Sequence, residues 1–300
     1  MNLYPNRILE AVMYRLMLAL ACGITFPGPL LAVVQTESRQ DVPFTWRERL
    51  AAGTWLRVYN AHGPVDAIGS EEAEAEVRGE RAPGSRSWDV EPTYEVLREG
   101  NEIVLCVLTE YQTCTLDGIE QPRRSRSRRE YRTPSVSVTV RVPRGLRLAV
   151  SSGNGPVNVS GTNSEVEART GNGDLSVEGA GAEVVARSGN GDVRVTTARG
   201  PVNASTGNGR VWVRMEALPA PASMDFHTGN GTVTVFLPDS FEGDIQASTG
   251  NGDVDSDFPI TTTGRFSRHR LAGRIGRGGP TLDLRTGNGD IELRKVAAGR

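Results

Sequence analysis

The chain has few of the side chains that most enzyme active sites need. It contains three histidines among 300 residues, and none has metal-ligand spacing to a cysteine or to another histidine. It also lacks G-x-S-x-G, H-E-x-x-H, Walker and dinucleotide-binding motifs. Its recurrent Gly-Asn-Gly is not a phosphate loop, because no helix is predicted to follow it. We therefore expect no enzyme activity, no catalytic residues, no metal and no cofactor.

The chain also has little net charge, few aromatic residues and few cysteines. The 34 basic residues are balanced by 36 acidic ones, which argues against a general nucleic-acid-binding protein. Aromatic residues make up 6% of the chain against 35 glycines, a composition suited to tight turns around a thin aliphatic core. Cys106 and Cys114 can pair in an oxidising compartment if the segment bends back between them. Two unpaired thiols on a strand are the alternative.

The first 34 residues are typical of a secretory signal. Two arginines precede an apolar stretch at 16–26, which a Pro-Gly-Pro ends before a small residue suited to cleavage. We expect a mature chain that begins near Val33 and is exported to the periplasm, the cell envelope or the exterior. An uncleaved anchor or a lipidated Cys22 are the alternatives, and contact with the membrane is expected only through them.

A Gly-Asn-Gly tripeptide recurs through the second half of the chain, first with a period of 18 residues and then with longer gaps. Its asparagines are Asn154, Asn172, Asn190, Asn208, Asn230, Asn251 and Asn288. Apolar and polar residues alternate before each tripeptide, end on Ser or Thr, and alternate again after it. Because Asn and Gly tolerate positive φ, each repeat predicts two strands of about five residues and two turns.

Two all-β architectures fit this repeat. In a parallel β-solenoid, which is β-helix-like, each repeat is one coil and equivalent residues stack about 4.8 Å apart. In an antiparallel β-meander, each Asn-Gly closes a hairpin. The recurrence of one residue type at one place favours the solenoid, because Asn on Asn and Thr on Thr would form amide and hydroxyl ladders. Crossover statistics favour a right-handed coil.

The repeated [ST]-G-N-G-[DPRT]-[VLI]-x-V motif, preceded by a secretion signal, resembles the bacterial "putative adhesin" domains of unknown function. The resemblance covers about 42–295 and includes GRIGRGGPTLDLRTGNGDIELRK at 273–295. It implies a β-solenoid at the cell envelope. It carries over no catalytic residues.

The sequence predicts an N-terminal β region at residues 35–142 and the Gly-Asn-Gly solenoid at residues 143–300. GTWLRVYNAHGPVDAIG from Gly53 aligns without gaps on GLRLAVSSGNGPVNVSG from Gly145, with His62 in the place of an asparagine. This segment predicts the first coil, and a hairpin is expected to follow it near residue 100. Loops are expected at 217–221 and 258–279.

Two sets of residues are candidates for binding or chemistry. Trp212 falls on the outer face by strand parity together with Arg210 and Arg214, where it could stack on a sugar or anchor a partner. Alternatively, the loop at 218–222 covers it. Asp174 and Asp192 follow the tripeptide in adjacent coils and could hold Ca²⁺ or act as a glycosidase pair. As solvated turn carboxylates they would do neither.

These observations favour a non-enzymatic, adhesin-like interaction or scaffold module of the envelope. Its partner would be an unidentified envelope or surface ligand, either a polysaccharide or a protein, and not a nucleic acid. A carbohydrate-active enzyme on a β-helix is the first alternative. The second is a polyanion-binding protein that uses the arginine clusters at 123–132 and 265–277.

Overall fold

The computed structural model describes residues 35–36, 40–83, 91–109, 112–120, 134–197, 200–218, 222–262 and 267–296. The predicted leader and the 123–132 arginine cluster lie outside these ranges. Within them, no helix is long and apolar enough to cross a membrane.

Eleven strands precede the regular repeats. They are β1 (Gln35–Thr36), β2 (Gln40–Asp41), β3 (Phe44–Glu48), β4 (Trp55–Asn60), β5 (Val65–Ser70), β6 (Ala75–Arg81), β7 (Thr93–Glu99), β8 (Glu102–Leu108), β9 (Thr113–Thr115), β10 (Gly118–Glu120) and β11 (Val136–Pro143).

The repeats then contribute pairs of strands. They are β12 (Arg147–Asn154), β13 (Val157–Ser160), β14 (Val166–Asn172), β15 (Leu175–Ala180), β16 (Val184–Asn190), β17 (Val193–Thr197), β18 (Val202–Asn208), β19 (Val211–Met215), β20 (Met224–Asn230) and β21 (Val233–Leu237). The last six are β22 (Gly243–Asn251), β23 (Val254–Ser256), β24 (Ile260–Thr262), β25 (Arg270–Ile275), β26 (Thr281–Asn288) and β27 (Ile291–Lys295).

Two long sheets run the length of the stack. Sheet A has the order β1-β7-β8-β4-β12-β14-β16-β18-β20-β26-β22-β25-β24, with β2 also paired to β7. Sheet B has the order β23-β27-β21-β19-β17-β15-β13-β5-β11-β6-β3. Each repeat places the strand before its tripeptide in sheet A and the strand after it in sheet B.

Neighbouring coils pair in parallel and in register. Val184 pairs with Val166 on one side and with Val202 on the other, and Asn190 pairs with Asn172 and Asn208. The parallel β-solenoid is therefore confirmed and the antiparallel meander is wrong. A meander would place an intervening strand between equivalent residues of successive repeats. The right-handed sense stays a prediction.

Inward side chains of both sheets form one thin aliphatic core. Val177, Val195 and Val213 make one column of this core, and each is essentially inaccessible to solvent. Alternate residues along each strand point outward and are partly or fully exposed. Each fully buried valine side chain contributes about 1.5–3 kcal/mol, so the stack owes its stability to many equal contributions along its length.

The coils do not stack in chain order at either end. The last coil in the sequence, β26 and β27, lies between the coil of β20 and β21 and that of β22 and β23. At the other end, β8 and β11 pair outside β4 and β5, although they follow them in the chain. The segment predicted as the first coil is therefore not the outermost one. Its predicted alignment nevertheless holds, since Leu148 pairs with Leu56 and Val150 with Val58.

Residues 258–279 are not the simple loop that was predicted. They contain β24 and β25, which extend sheet A by antiparallel pairing beyond β22. Leu271 and Ile275 are buried there, while the arginines on either side of them point to solvent. The sequence has many arginines here, and a short alternation of apolar and polar residues, which is typical of a strand, was therefore overlooked.

A second small apolar cluster lies on the outer face of sheet A. It is formed by Leu97, Val104, Leu108 and the two cysteines, under the hairpin of β9 and β10. Cys106 and Cys114 are joined by a disulfide, and their Cα atoms are 5.7 Å apart. Gln112 bends the chain back between them, since its Oε1 accepts the Thr109 amide at 2.7 Å. Closure of this loop contributes about 2.5 kcal/mol in the chain-entropy model.

Candidate functional site

The seven tripeptide asparagines form one continuous amide ladder along an edge of the stack. Six of the seven Nδ2 groups, all but that of Asn154, donate to the Oδ1 of the preceding asparagine at 2.7–2.8 Å, in the stack order Asn154, Asn172, Asn190, Asn208, Asn230, Asn288 and Asn251. At one end, Nδ2 of Asn154 lies 2.9 Å from Nδ1 of His62, whose pKa is lowered by burial. His62 therefore takes the place of one more asparagine, and the ladder joins the coils to one another.

The Ser and Thr hydroxyls that precede the tripeptides do not hydrogen-bond to one another, so the predicted hydroxyl ladder is wrong. Each donates instead to the carbonyl oxygen of the second tripeptide glycine in the neighbouring coil. Thr170 donates to Gly155 at 2.8 Å, and Thr206 donates to Gly191 at 2.8 Å. These hydroxyls are buried, and a backbone carbonyl in the turn is the nearest acceptor that can satisfy them.

The carboxylates after the tripeptides have structural partners. Oδ1 of Asp174 accepts the backbone N–H of Asp192 at 2.9 Å, and Oδ1 of Asp192 accepts that of Arg210 at 2.8 Å. The Arg210 guanidinium also donates to Oδ2 of Asp192 at 2.6 Å. Hydrogen bonds from Arg210 lower the pKa of Asp192. A glycosidase general acid needs the opposite shift, so this carboxylate is unsuited to that task.

Trp212 lies on the outer face of sheet B and is half-buried there. The Arg194 guanidinium sits 3.8 Å from its ring centroid, a cation–π contact, and the Phe236 ring lies 5.4 Å away. Of the predicted partners, Arg210 is paired with Asp192, and Arg214 lies 3.7 Å from Glu216.

Leu218, at the start of the loop expected to cover this tryptophan, packs against the main core. Residues 219–221 lie outside the described ranges. Among described residues, Trp212 is therefore flanked by the side chains of the neighbouring coils. Arg194 is not among the predicted site residues, although the 18-residue period identifies it as the residue one coil before Trp212.

The surface around Trp212 forms a shallow groove of about 480 Å³. Its lining includes Ser176 and Arg194 on one side of the tryptophan and Thr234 on the other. These residues share one row across four coils, because Ser176 pairs with Arg194, Arg194 with Trp212, and Trp212 with Thr234. An aromatic ring, a guanidinium and hydroxyls in one line can hold a hydroxylated ligand by stacking and hydrogen bonding.

Three of the described arginines in the 265–277 cluster lie near carboxylates. Arg268 lies 3.9 Å from Asp253, Arg274 lies 3.6 Å from Asp244, and Arg277 lies 3.0 Å from Glu242. Arg274 lies on β25, whereas Arg268 and Arg277 lie outside that strand and have different carboxylate neighbours. The cluster is therefore not the continuous basic patch that its sequence suggests.

The described residues contain no group of three or more His, Cys, Asp or Glu side chains placed to hold a metal ion. Cation coordination of the Ca²⁺ type needs several oxygen ligands around one point. Asp174 and Asp192 lie in successive coils and each turns an oxygen to a backbone amide, which is the arrangement of a cap rather than of a chelate.

A parallel stack of two-stranded coils, closed by a hydrogen-bonded asparagine edge, defines this chain as a β-solenoid protein. Residues 134–294 match the model of the Toastrack DUF4097 family. This match spans more than half of the chain, so the chain belongs to that family. The resemblance to "putative adhesin" domains of unknown function is thereby confirmed.

The matches among solved structures include proteins from three bacteria. A putative cell adhesion protein from Clostridium sporogenes is 15% identical with a TM-score of 0.35, covering 85% of this chain and 100% of its own. A putative adhesin from Bacteroides fragilis is 10% identical with a TM-score of 0.33, covering 84% and 96% respectively. A putative adhesin from Parabacteroides distasonis is 9% identical with a TM-score of 0.30, covering 89% and 98%. Among curated proteins none matches the sequence.

Proposed function

We propose that this protein is a non-enzymatic interaction module of the cell envelope, exported by its leader, which binds an envelope ligand at the groove around Trp212. The observation that carries the proposal is the placement of Trp212 on the outer face, with the Arg194 guanidinium stacked on its ring. Tryptophan and arginine are the residues most enriched where binding energy concentrates at protein surfaces. The rigid coils on either side hold this pair in place before any ligand arrives.

The roles of the nearby carboxylates support a binding function over a catalytic one. Asp174 and Asp192 line the same groove, yet each accepts a backbone N–H of the next coil. The lowered pKa of Asp192 keeps it ionised, so it can accept hydrogen bonds from a ligand but is a poor proton donor.

The test compares Trp212→Ala with wild type in binding to an isolated envelope fraction of the source bacterium, after the leader has been removed. We expect about thirtyfold weaker binding, because truncation of an anchoring aromatic costs about 2 kcal/mol. Trp55→Ala is the matched control. Trp55 is also half-buried on an outer face, with the Arg57 guanidinium 4.7 Å from its ring, but it lies on sheet A.

The control variant should bind like wild type. Equal binding by wild type and Trp212→Ala would contradict the proposed site. Failure of the wild type to bind the envelope fraction more than an unrelated secreted protein does would contradict the proposed function.

A further inference from the structure

We infer that the outer face of sheet A carries a second binding site, a row of cationic side chains that holds an extended acidic polysaccharide along the axis of the stack. This site goes beyond the function proposed above, because it lies on the opposite sheet from Trp212 and uses different chemistry. We call it the cationic row. Its positively charged or titratable members, in stack order, are Arg169, Arg187, His227, Arg285 and Arg270.

The register of sheet A brings these residues into line. Arg169 pairs with Arg187, and His227 pairs with Arg285. Ser205 continues the row between Arg187 and His227, and Ser248 continues it between Arg285 and Arg270. Seven successive strands thus present arginine, histidine or serine at one level, with no acidic residue among them. At about 4.8 Å per strand the row is about 29 Å long.

The like charges of the row are only partly compensated. Arg169 lies 3.6 Å from Glu167, and Arg285 is hydrogen-bonded to Asp283. Arg187 and Arg270 have no carboxylate partner within the described part of the chain. Like charges directly opposite one another on adjacent strands are destabilising. A ligand with negative charges at the same spacing would relieve this repulsion along the whole row.

A groove beside the row gives such a ligand room. It has a volume of about 700 Å³ and runs beside the part of the row from Arg169 to Ser205. It is lined by Arg169, Arg187 and the first tripeptide glycines, with the β9–β10 hairpin and the Asp117 carboxylate at one end. The floor is flat backbone, because a Cβ on Gly171 would lie 2.4 Å from the carbonyl oxygen of Gly153. Coil stacking therefore requires glycine at this position. Because glycine has no side chain, a linear polymer can also lie close to the backbone beside the arginines.

The neighbouring row on the other side favours a narrow ligand over a membrane surface. Two residues earlier along the same strands stand Glu167, Asp225 and Asp283, about 6.6 Å from the cationic row. A planar anionic membrane would meet these carboxylates together with the arginines and be repelled by them. A single polymer chain can contact the arginines and the glycine floor alone.

The spacing and the chemistry of the row favour a polysaccharide over other linear polyanions. Side chains on one face of an extended peptide repeat every ~6.8 Å, which does not match strands ~4.8 Å apart. Single-stranded nucleic acids are held mainly by stacking of successive bases on aromatic rings, in addition to charge. The row has no Phe, Tyr or Trp among its members, and its single ring is the His227 imidazole. Tyr59 lines the groove at the hairpin end. The hydroxyls of a polysaccharide can form hydrogen bonds with Ser205 and Ser248 of the row, while its acidic groups meet the arginines.

The test measures the dissociation constant of the leader-free protein for a polyuronate of defined length at low salt, by calorimetry. We expect the Arg169→Ala/Arg187→Ala variant to bind about tenfold more weakly, with a shallower dependence on salt. Arg78→Ala/Arg144→Ala is the matched control, since it removes the same charge from exposed arginines outside the row. This control should keep wild-type affinity, as should Trp212→Ala, so this site and the Trp212 site can fail separately.

A gain-of-function variant guards against a purely structural effect. Ser205→Arg fills the gap between Arg187 and His227 and should bind the polyuronate about threefold more tightly than wild type. Several outcomes would overturn the inference. The first is polyuronate binding no tighter than that of neutral dextran. The second is an equal loss of affinity in the two double variants. The third is tighter binding to phosphatidylglycerol vesicles or single-stranded DNA than to polyuronate of equal charge.

Discussion

Gly191→Ala should destabilise the protein by about 4 kcal/mol or more, a large effect for the addition of a single methyl group. Gly191 is the second glycine of its tripeptide and has a φ of 141°, which side-chain-bearing residues rarely adopt. A Cβ there would lie 2.1 Å from the carbonyl oxygen of Gly173 in the neighbouring coil. That oxygen belongs to backbone held on both sides by the stack, so it cannot yield without the separation of two coils.

Gly161→Ala is the control for the first prediction. Gly161 lies in the second turn of a repeat at a φ of 63°, but nothing lies within 4 Å of the Cβ that would be added. Its cost is therefore the backbone strain alone, about 1–2 kcal/mol. Urea denaturation followed by circular dichroism gives both values. Equal losses for the two variants would mean that coil contact does not constrain the tripeptide.

Val195→Asp should cost about 3–5 kcal/mol. Val195 is fully buried between Val177 and Val213, and an aspartate there would place a charge in the aliphatic core with no partner. The same denaturation measurement checks it. Ser176→Asp is the control, since Ser176 points outward from the adjacent strand, in register with Arg194.

The control should change stability by less than about 0.5 kcal/mol, as surface substitutions usually do. Arg194 is a poorer control than its outward position suggests, because its guanidinium also covers Trp212. If Val195→Asp were tolerated as well as Ser176→Asp, the assignment of inward and outward faces would be wrong.

The repeated unit could be predicted from the sequence because local and long-range requirements coincide there. Asn172 and Asn190 occupy the same place in successive repeats, and the same identity that shows the period also forms the hydrogen bond between coils. The alignment of Gly53 on Gly145 succeeded for the same reason, since the Gly53 amide donates to the Gly145 carbonyl at 2.7 Å.

The order of the coils could not be predicted from the same identity. Asn230 bonds to Asn288 and not to Asn251, although all three carry the same motif. Because every coil offers the same edge, the motif specifies the register but not which neighbour occupies it. The 37 residues from Asn251 to Asn288 leave enough chain for the last coil to return inside the stack.

The candidate binding surfaces could be predicted only in part from the sequence, because they depend on which coils are neighbours. Strand parity placed Trp212 outside, but its contact with Arg194 depends on the neighbouring coil. Apart from Arg270 on β25, the cationic row occupies the position before each Ser or Thr that precedes a tripeptide, between residues 169 and 285. Comparison of that position across the repeats would have shown the other four members of the row. A search for local clusters instead found the arginines of 265–277, of which Arg268, Arg274 and Arg277 lie near carboxylates.

Disulfide formation between engineered cysteines at Ser176 and Arg194 tests the in-register stack most directly. The account predicts rapid crosslinking of the folded double variant, because the two positions pair on adjacent parallel strands about 4.8 Å apart. Cysteines at Ser176 and Trp212, two strands apart at about 9.6 Å, should stay reduced under the same conditions. A folded 176/194 variant that does not crosslink, or that crosslinks no faster than the 176/212 variant, would contradict the solenoid and every surface derived from it.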